Sequence, residues 1–237
     1  MTNKVLLNNV DHHDLTVIDR QAAEYGAGVN QVAVFPTEFE AVQRDYPILF
    51  ARSEAGEYQA VALLGLDRDE NLFLGEGGWT GRYIPALLRR GPFSIGRSAG
   101  QEPMIHVDLD DPRVGRRGTG HGGEPVFLEH GGNAPLLERA TAALQAIYAG
   151  VEAEAAMYPA LDALGLIQPV AVEVALSETE KYQLPGFHAI DTARLAALDD
   201  ADLGRLHRSG FLHGAHMLLA SLGNIERLAA LKAAARG

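Results

Sequence analysis

Apolar positions along this chain change rhythm near residue 135. Before it they fall in short clusters punctuated by Gly, Pro and Asp, at residues 31–35, 48–52 and 58–66, each of strand length. Pro36 opens a predicted helix with Thr37 as N-cap and Glu40 at the capping-box spacing, and Pro47 closes it. Residues 58–66 and 72–74 flank the polar run 67–71 and predict a β-hairpin. Residues 82–89 predict a short helix or turn, 104–109 an alternating strand, and 126–128 one more strand. Residues 115–125 carry five glycines and no apolar anchor, which predicts a flexible loop.

In the later half Leu137, Leu144, Ile147, Tyr148, Val151 and Ala155 recur at helical spacing, with Pro159 predicted to interrupt the helix. Residues 169–176 and 182–190 flank Ser177-Glu178-Thr179-Glu180 as a second hairpin, and Asp191 caps a leucine-rich helical tail reaching Leu231. Strands and helices mix without βαβ alternation. The predicted class is α+β, with antiparallel strands in the N-terminal half packed with helices mainly from the C-terminal half. A single domain over residues 1–237 is expected. Its predicted core holds Phe35, Phe50, Leu64, Phe73, Trp79, Phe93, Leu144, Ile147, Val172, Phe187, Leu206 and Leu218.

With 47% hydrophobic and 22% charged residues, the chain can bury a core. The absence of cysteine excludes disulfides, thiolate metal sites and cysteine nucleophiles. A net charge of −11 argues against nucleic acid as a partner, because backbone binding relies on Lys and Arg. Seven arginines, Arg82, Arg89, Arg90, Arg97, Arg113, Arg116 and Arg117, nevertheless crowd the middle of the chain. No stretch approaches the roughly 18 apolar residues of a membrane helix, and the first residues lack the apolar run of a secretory signal. A soluble, cytoplasmic protein without a membrane partner is the expectation.

The run 71–93 is the most distinctive, joining the only Trp (Trp79) to Tyr83-Ile84-Pro85, Arg89-Arg90 and Pro92-Phe93. With Phe35-Pro36, Glu38-Phe39, Tyr46-Pro47-Ile48, Gly65-Leu66 and 186–191, in that order and spacing, the chain resembles the SapC family of bacterial proteins over about residues 32–231. It departs from the family at Arg90-Gly91-Pro92-Phe93, where Arg-Tyr-Pro-Phe is usual, in the polar strand carrying His106 and Asp108, and in the glycine-rich stretch 115–123. The family's name comes from surface-layer biology. The resemblance implies an accessory role in a surface-protein or peptide-modification or uptake system, beside flavin-dependent halogenase-like or cupin-like neighbours. A peptide-permease label attached to similar proteins conflicts with the lack of a membrane span.

Two constellations could carry chemistry. Trp79, Tyr83, Arg89, Arg90 and Phe93 set aromatic and guanidinium groups against an acidic background, a combination suited to a peptide or small amphipathic ligand. The bland alternative puts the aromatics in the core and pairs the arginines with carboxylates. His106 and Asp108 share a strand face, and with His213 or His216 would complete the facial triad of an Fe(II) oxygenase using a 2-oxoacid such as 2-oxoglutarate. Against it, the helical second half does not suggest a jelly roll. The glycine run 118–123 lacks the Lys-Ser/Thr ending of a phosphate loop, and Ser94, Ser98 and Ser221 lie in no nucleophile elbow. His188 with Asp191, and Glu38 with Glu40, read as caps and surface charges. Leucine seams in the last helices would suit a homodimer.

Overall fold

The computed structural model describes residues 3–96, 103–177 and 180–236. Its strands are β1 (Lys4–Leu6), β2 (Leu15–Val17), β3 (Gln31–Ala33), β4 (Ile48–Arg52), β5 (Tyr58–Leu63), β6 (Leu74–Gly75) and β7 (Gly78–Trp79). They continue with β8 (Phe93–Gly96), β9 (Met104–Asp108), β10 (Val114–Arg116), β11 (Glu124–Pro125), β12 (Ile167–Ala175) and β13 (Lys181–Ile190). The helices are α1 (Phe39–Val42), α2 (Ala86–Arg89), α3 (Pro135–Ala163), α4 (Thr192–Ala196), α5 (Asp200–Arg208), α6 (Phe211–Ser221) and α7 (Asn224–Ala234). Among the described residues every strand pair is antiparallel, strands lie mostly in the first half and helices mostly in the second, so the fold is α+β.

The chain forms two compact units, and α3 contributes to both. The first takes Met1–Ala27 and Ala86–Tyr148. It holds the sheets β1-β9-β8 and β10-β2-β11 over a core that includes Leu15, Val17, Phe93, Val107 and Leu137. The glycine-rich stretch 115–125 is more ordered than its composition suggests. Its two ends are β10 and β11, and both pair with the buried β2, leaving turns between them. Ladder bonds use backbone groups that glycine supplies as well as any residue. At Gly123 only hydrogen fits, because a Cβ would collide with the backbone of Val17. Residues 126–128 form no strand, only an isolated bridge from Phe127 to Asn133.

The second unit takes Gly28–Pro85 and Ala149–Gly237. Its main sheet has the order β12-β13-β4-β5-β3. The predicted hairpin of 58–66 with 72–74 is not made. β5 pairs instead with β4 across a turn at Gly56 (φ 82°) and with β3 on its other edge. Residues 67–71 are held as a loop because the Glu70 carboxylate accepts the Leu66 and Asp67 N–H groups at 2.9 and 3.2 Å. The β12–β13 hairpin forms as predicted, although Glu178 and Thr179 of its turn lie outside the described residues.

The cap near Pro36 sits two positions earlier than predicted. The Phe35 N–H donates to Glu38 at 3.1 Å, and Pro36–Glu38 is a 3₁₀ turn leading into α1. Helix α3 continues through Pro159 instead of breaking there. The proline stands on an exposed position near the helix end, so its ring meets little and its main cost is one backbone bond. The helix closes at Gly165 (φ 66°), whose N–H donates to the Asp162 carbonyl at 2.8 Å. The predicted tail divides into α4–α7, with Asp191 accepting from the Arg194 N–H at 2.9 Å and Asp199 from the Asp202 N–H at 2.8 Å. Among the described residues no helix is long and apolar enough to cross a membrane. Of the predicted core, Trp79, Ile147 and Phe187 are half-buried and the rest buried.

Candidate functional site

The second unit contains a cavity of about 540 Å³ built by two elements. One is the β4–β5 hairpin, where Arg52 and Tyr58 pair directly and therefore share a face with Phe50. The other is the last part of α3, where Val151, Glu154, Ala155, Tyr158, Pro159 and Asp162 follow helical spacing and form one stripe. The stripe meets the sheet through aromatic edges. Phe50 lies 5.2 Å from Tyr158 and 5.8 Å from Tyr58, centroid to centroid, both edge-on. His188, opposite Phe50 on β13, meets the Tyr58 ring at 5.3 Å.

The polar groups here are incompletely satisfied. Tyr158 is 4% exposed, and its hydroxyl lies beside Glu154 and the Ala60 backbone without a hydrogen bond of good geometry. The buried Nδ1 of His188 also lacks a partner. Glu154 accepts one long bond, from Gln59 Nε2 at 3.3 Å. Burial pushes the Glu154 carboxyl above its ordinary value, with Gln59 and Tyr158 opposing. Burial, followed by the Glu154 charge, raises the Tyr158 hydroxyl so that it stays protonated. Burial and then the Arg52 charge lower the His188 imidazole. Arg52 lies over the Tyr58 ring, 4.6 Å from its centroid, and donates to the Tyr58 hydroxyl at 2.6 Å. Such a cluster offers protonated hydroxyls, carboxylate acceptors and aromatic faces to a ligand with apolar and polar ends.

This site was not among the sequence candidates, yet it has a signal. Glu154, Tyr158 and Asp162 repeat every four residues, and a proline falls inside a strongly helical run.

The five residues singled out on the run 79–93 have internal partners. Trp79 and Tyr83 belong to the second unit, and Arg89, Arg90 and Phe93 to the first. Trp79 Nε1 donates to the Tyr46 hydroxyl at 2.8 Å, that hydroxyl to the Tyr83 carbonyl at 2.5 Å, and the Tyr83 hydroxyl to Glu38 at 2.9 Å. Arg90 is half-buried and donates to the Phe93 carbonyl at 2.6 Å. Burial, then repulsion from Arg113, holds its guanidinium below the ordinary arginine value. Phe93 is a core residue at 1% exposure, and Arg89 is half-buried at the end of α2.

Among the described residues no three His, Asp or Glu side chains gather into a group able to hold a metal ion. His106 makes its contact with the Met104 carbonyl at 3.2 Å, and Asp108 Oδ1 accepts the Asn3 and Asp110 N–H groups. The strand alternation that puts both on one face therefore ends in local bonds. His213 and His216 are exposed on α6. The facial-triad reading finds no support. His121 contacts the Pro112 carbonyl, Ser221 donates to the Leu218 carbonyl at 2.6 Å, and Glu40 pairs with Arg44 at 3.0 Å. Arg97 and Ser98 lie outside the described residues.

The comparisons agree with the family resemblance. A model of the SapC family matches residues 7–228, nearly the whole length. No curated protein and no solved structure matches. On that coverage the chain belongs to the SapC family.

Proposed function

We propose that this protein is an accessory binding protein that takes up a peptide or small amphipathic ligand in the cavity between the β4–β5 hairpin and α3. The observation that carries this reading is the Tyr158 hydroxyl, buried without a well-aligned partner on a residue that lines the cavity. Buried polar groups are normally paired, so an orphan beside a cavity is a place for a partner to arrive. Val151, 47% exposed, and Ala155 supply apolar surface beside it, which suits a ligand with both characters. In this reading the ligand belongs to a surface-protein, peptide-modification or peptide-uptake system, and halogenase-like or cupin-like proteins are the partners to test.

The test is a panel of fluorescently labelled amphipathic peptides read by anisotropy. Tyr58→Ala and Val151→Asn should each weaken binding about tenfold, equivalent to ~1.4 kcal/mol. Trp79→Phe and Arg89→Ala should leave it unchanged. The reverse pattern would move the site to the run 79–93.

A further inference from the structure

We infer that the polar end of the ligand is an organic cation, a guanidinium or alkylammonium group, received by Glu154, the Tyr158 hydroxyl and the Ala155 carbonyl. This rests on the ligand-binding reading of the same cavity and specifies its chemistry.

Acceptors outnumber donors around the cavity. Glu154 and Asp162 flank Tyr158 one turn away on either side, and Glu57 stands on the hairpin, against the single cation Arg52. Pro159 has no N–H, so the carbonyl four residues back, on Ala155, lacks its helical donor. Ala155 lines the same cavity. Glu154 retains acceptor capacity because its one bond, from Gln59, is long at 3.3 Å. The Tyr158 hydroxyl makes no well-aligned bond of its own and can accept from a cationic N–H. An anion entering here would meet carboxylates on both walls.

The protein already displays the preferred chemistry. Arg52 lays its guanidinium on the Tyr58 ring at 4.6 Å and bonds the Tyr58 hydroxyl at 2.6 Å. That aromatic face favours a cation through its quadrupole. Arg52 is exposed and tethered at the end of β4, so it acts as a resident competitor for a ligand's cationic group.

Nuclear magnetic resonance titration of the full chain with n-butylguanidine, n-butanol and n-butyrate tests this, since the three probes share a tail and differ in charge. Butylguanidine should give saturable shifts at Tyr58 and residues 151–162, and butyrate none. Glu154→Gln should weaken it about tenfold and Tyr158→Phe about threefold, while Arg52→Ala should tighten it about threefold by clearing the ring. Butyrate or butanol binding the cavity as well as butylguanidine would overturn the cation class and leave the ligand-binding reading standing. So would failure of all three probes while the amphipathic peptides still bind. Failure of probes and peptides alike would overturn both. An unchanged affinity in folded Glu154→Gln would remove the assigned acceptor and refute the inference.

Discussion

Two clusters in the second unit each set two tyrosines beside carboxylates and end in opposite states. Around Tyr46, two tyrosines, a tryptophan and two carboxylates form a closed network. The Tyr46 hydroxyl both accepts from Trp79 and donates to the Tyr83 carbonyl, Glu38 takes the Tyr83 hydroxyl and the Phe35 N–H, and the fully buried Asp45 takes Arg227 and both the backbone and side chain of Arg82. Around Tyr158, two tyrosines, a histidine and a glutamate leave a hydroxyl and a ring nitrogen without partners. Satisfied buried networks fix a structure, whereas unsatisfied ones beside a cavity are open to a ligand. Tyrosine and carboxylate content alone does not separate the two; the hydrogen-bond accounting does.

Removing Asp45 should produce the largest effect. Its carboxylate is 0% exposed between two guanidinium groups. The guanidinium partners are 72% and 38% exposed and regain water when the carboxylate is removed, so the loss is that of the charge-assisted hydrogen bonds, about 1.5–3 kcal/mol. Asp45→Ala should lose stability of that order in urea denaturation, and a loss under about 1 kcal/mol would mean the network is not closed. Burial alone would raise this carboxyl, but Arg227 and Arg82 together hold it below the ordinary aspartate value. A depressed folded value contributes stability that is present above the unfolded aspartate range, about 3.9, and is lost as pH falls below it. The acid limb of the stability curve should therefore flatten in the variant.

The sharpest contrast comes from the same substitution in both clusters. Tyr46→Phe strands the Trp79 N–H and the Tyr83 carbonyl, a loss of about 1–3 kcal/mol. Trp79 is the only tryptophan, so its fluorescence should report the lost bond directly. Tyr158→Phe removes a hydroxyl that makes no well-aligned hydrogen bond, and stability should stay within about 0.5 kcal/mol or rise. Equal losses in the two variants would erase the distinction between the clusters.

The sequence made the closed cluster visible and the open one obscure, for a physical reason. Trp79, Tyr83 and Tyr46-Pro47 stand out because rare residues and prolines concentrate there, and such residues often mark a site where packing and turn geometry are demanding. That salience carried the ligand-binding reading to residues whose hydroxyls and ring N–H already have partners. Antiparallel pairing of the β12–β13 hairpin and the Asp191 cap were legible from local spacing. The pairing of β5 with β4 and β3, and of β10 and β11 with β2, was not, because partner choice depends on which face each strand must bury. The open cluster required α3 to continue through Pro159, where a proline inside a helical run argues for a break. Once the helix is continuous, Glu154, Tyr158 and Asp162 fall on one stripe.

The smallest expected effect tests the electrostatics of the open cluster. Burial raises the Glu154 carboxyl, and the Gln59 and Tyr158 contacts offset it only in part. Because the folded value lies above the unfolded one, the folded chain holds this proton more tightly, and stability falls as pH rises from the unfolded glutamate range, about 4.3, through the folded value. Glu154→Gln keeps an oxygen for the Gln59 donor and has no charge to bury. Its melting temperature should exceed that of the parent at neutral pH, by less than Tyr46→Phe lowers it, and the gain should vanish below about pH 4. If the same substitution also weakens butylguanidine, the parent retains at this position a charge that costs stability and serves binding. A variant less stable than the parent at neutral pH would instead show the carboxylate already paired in the free protein, and the two clusters would then be alike.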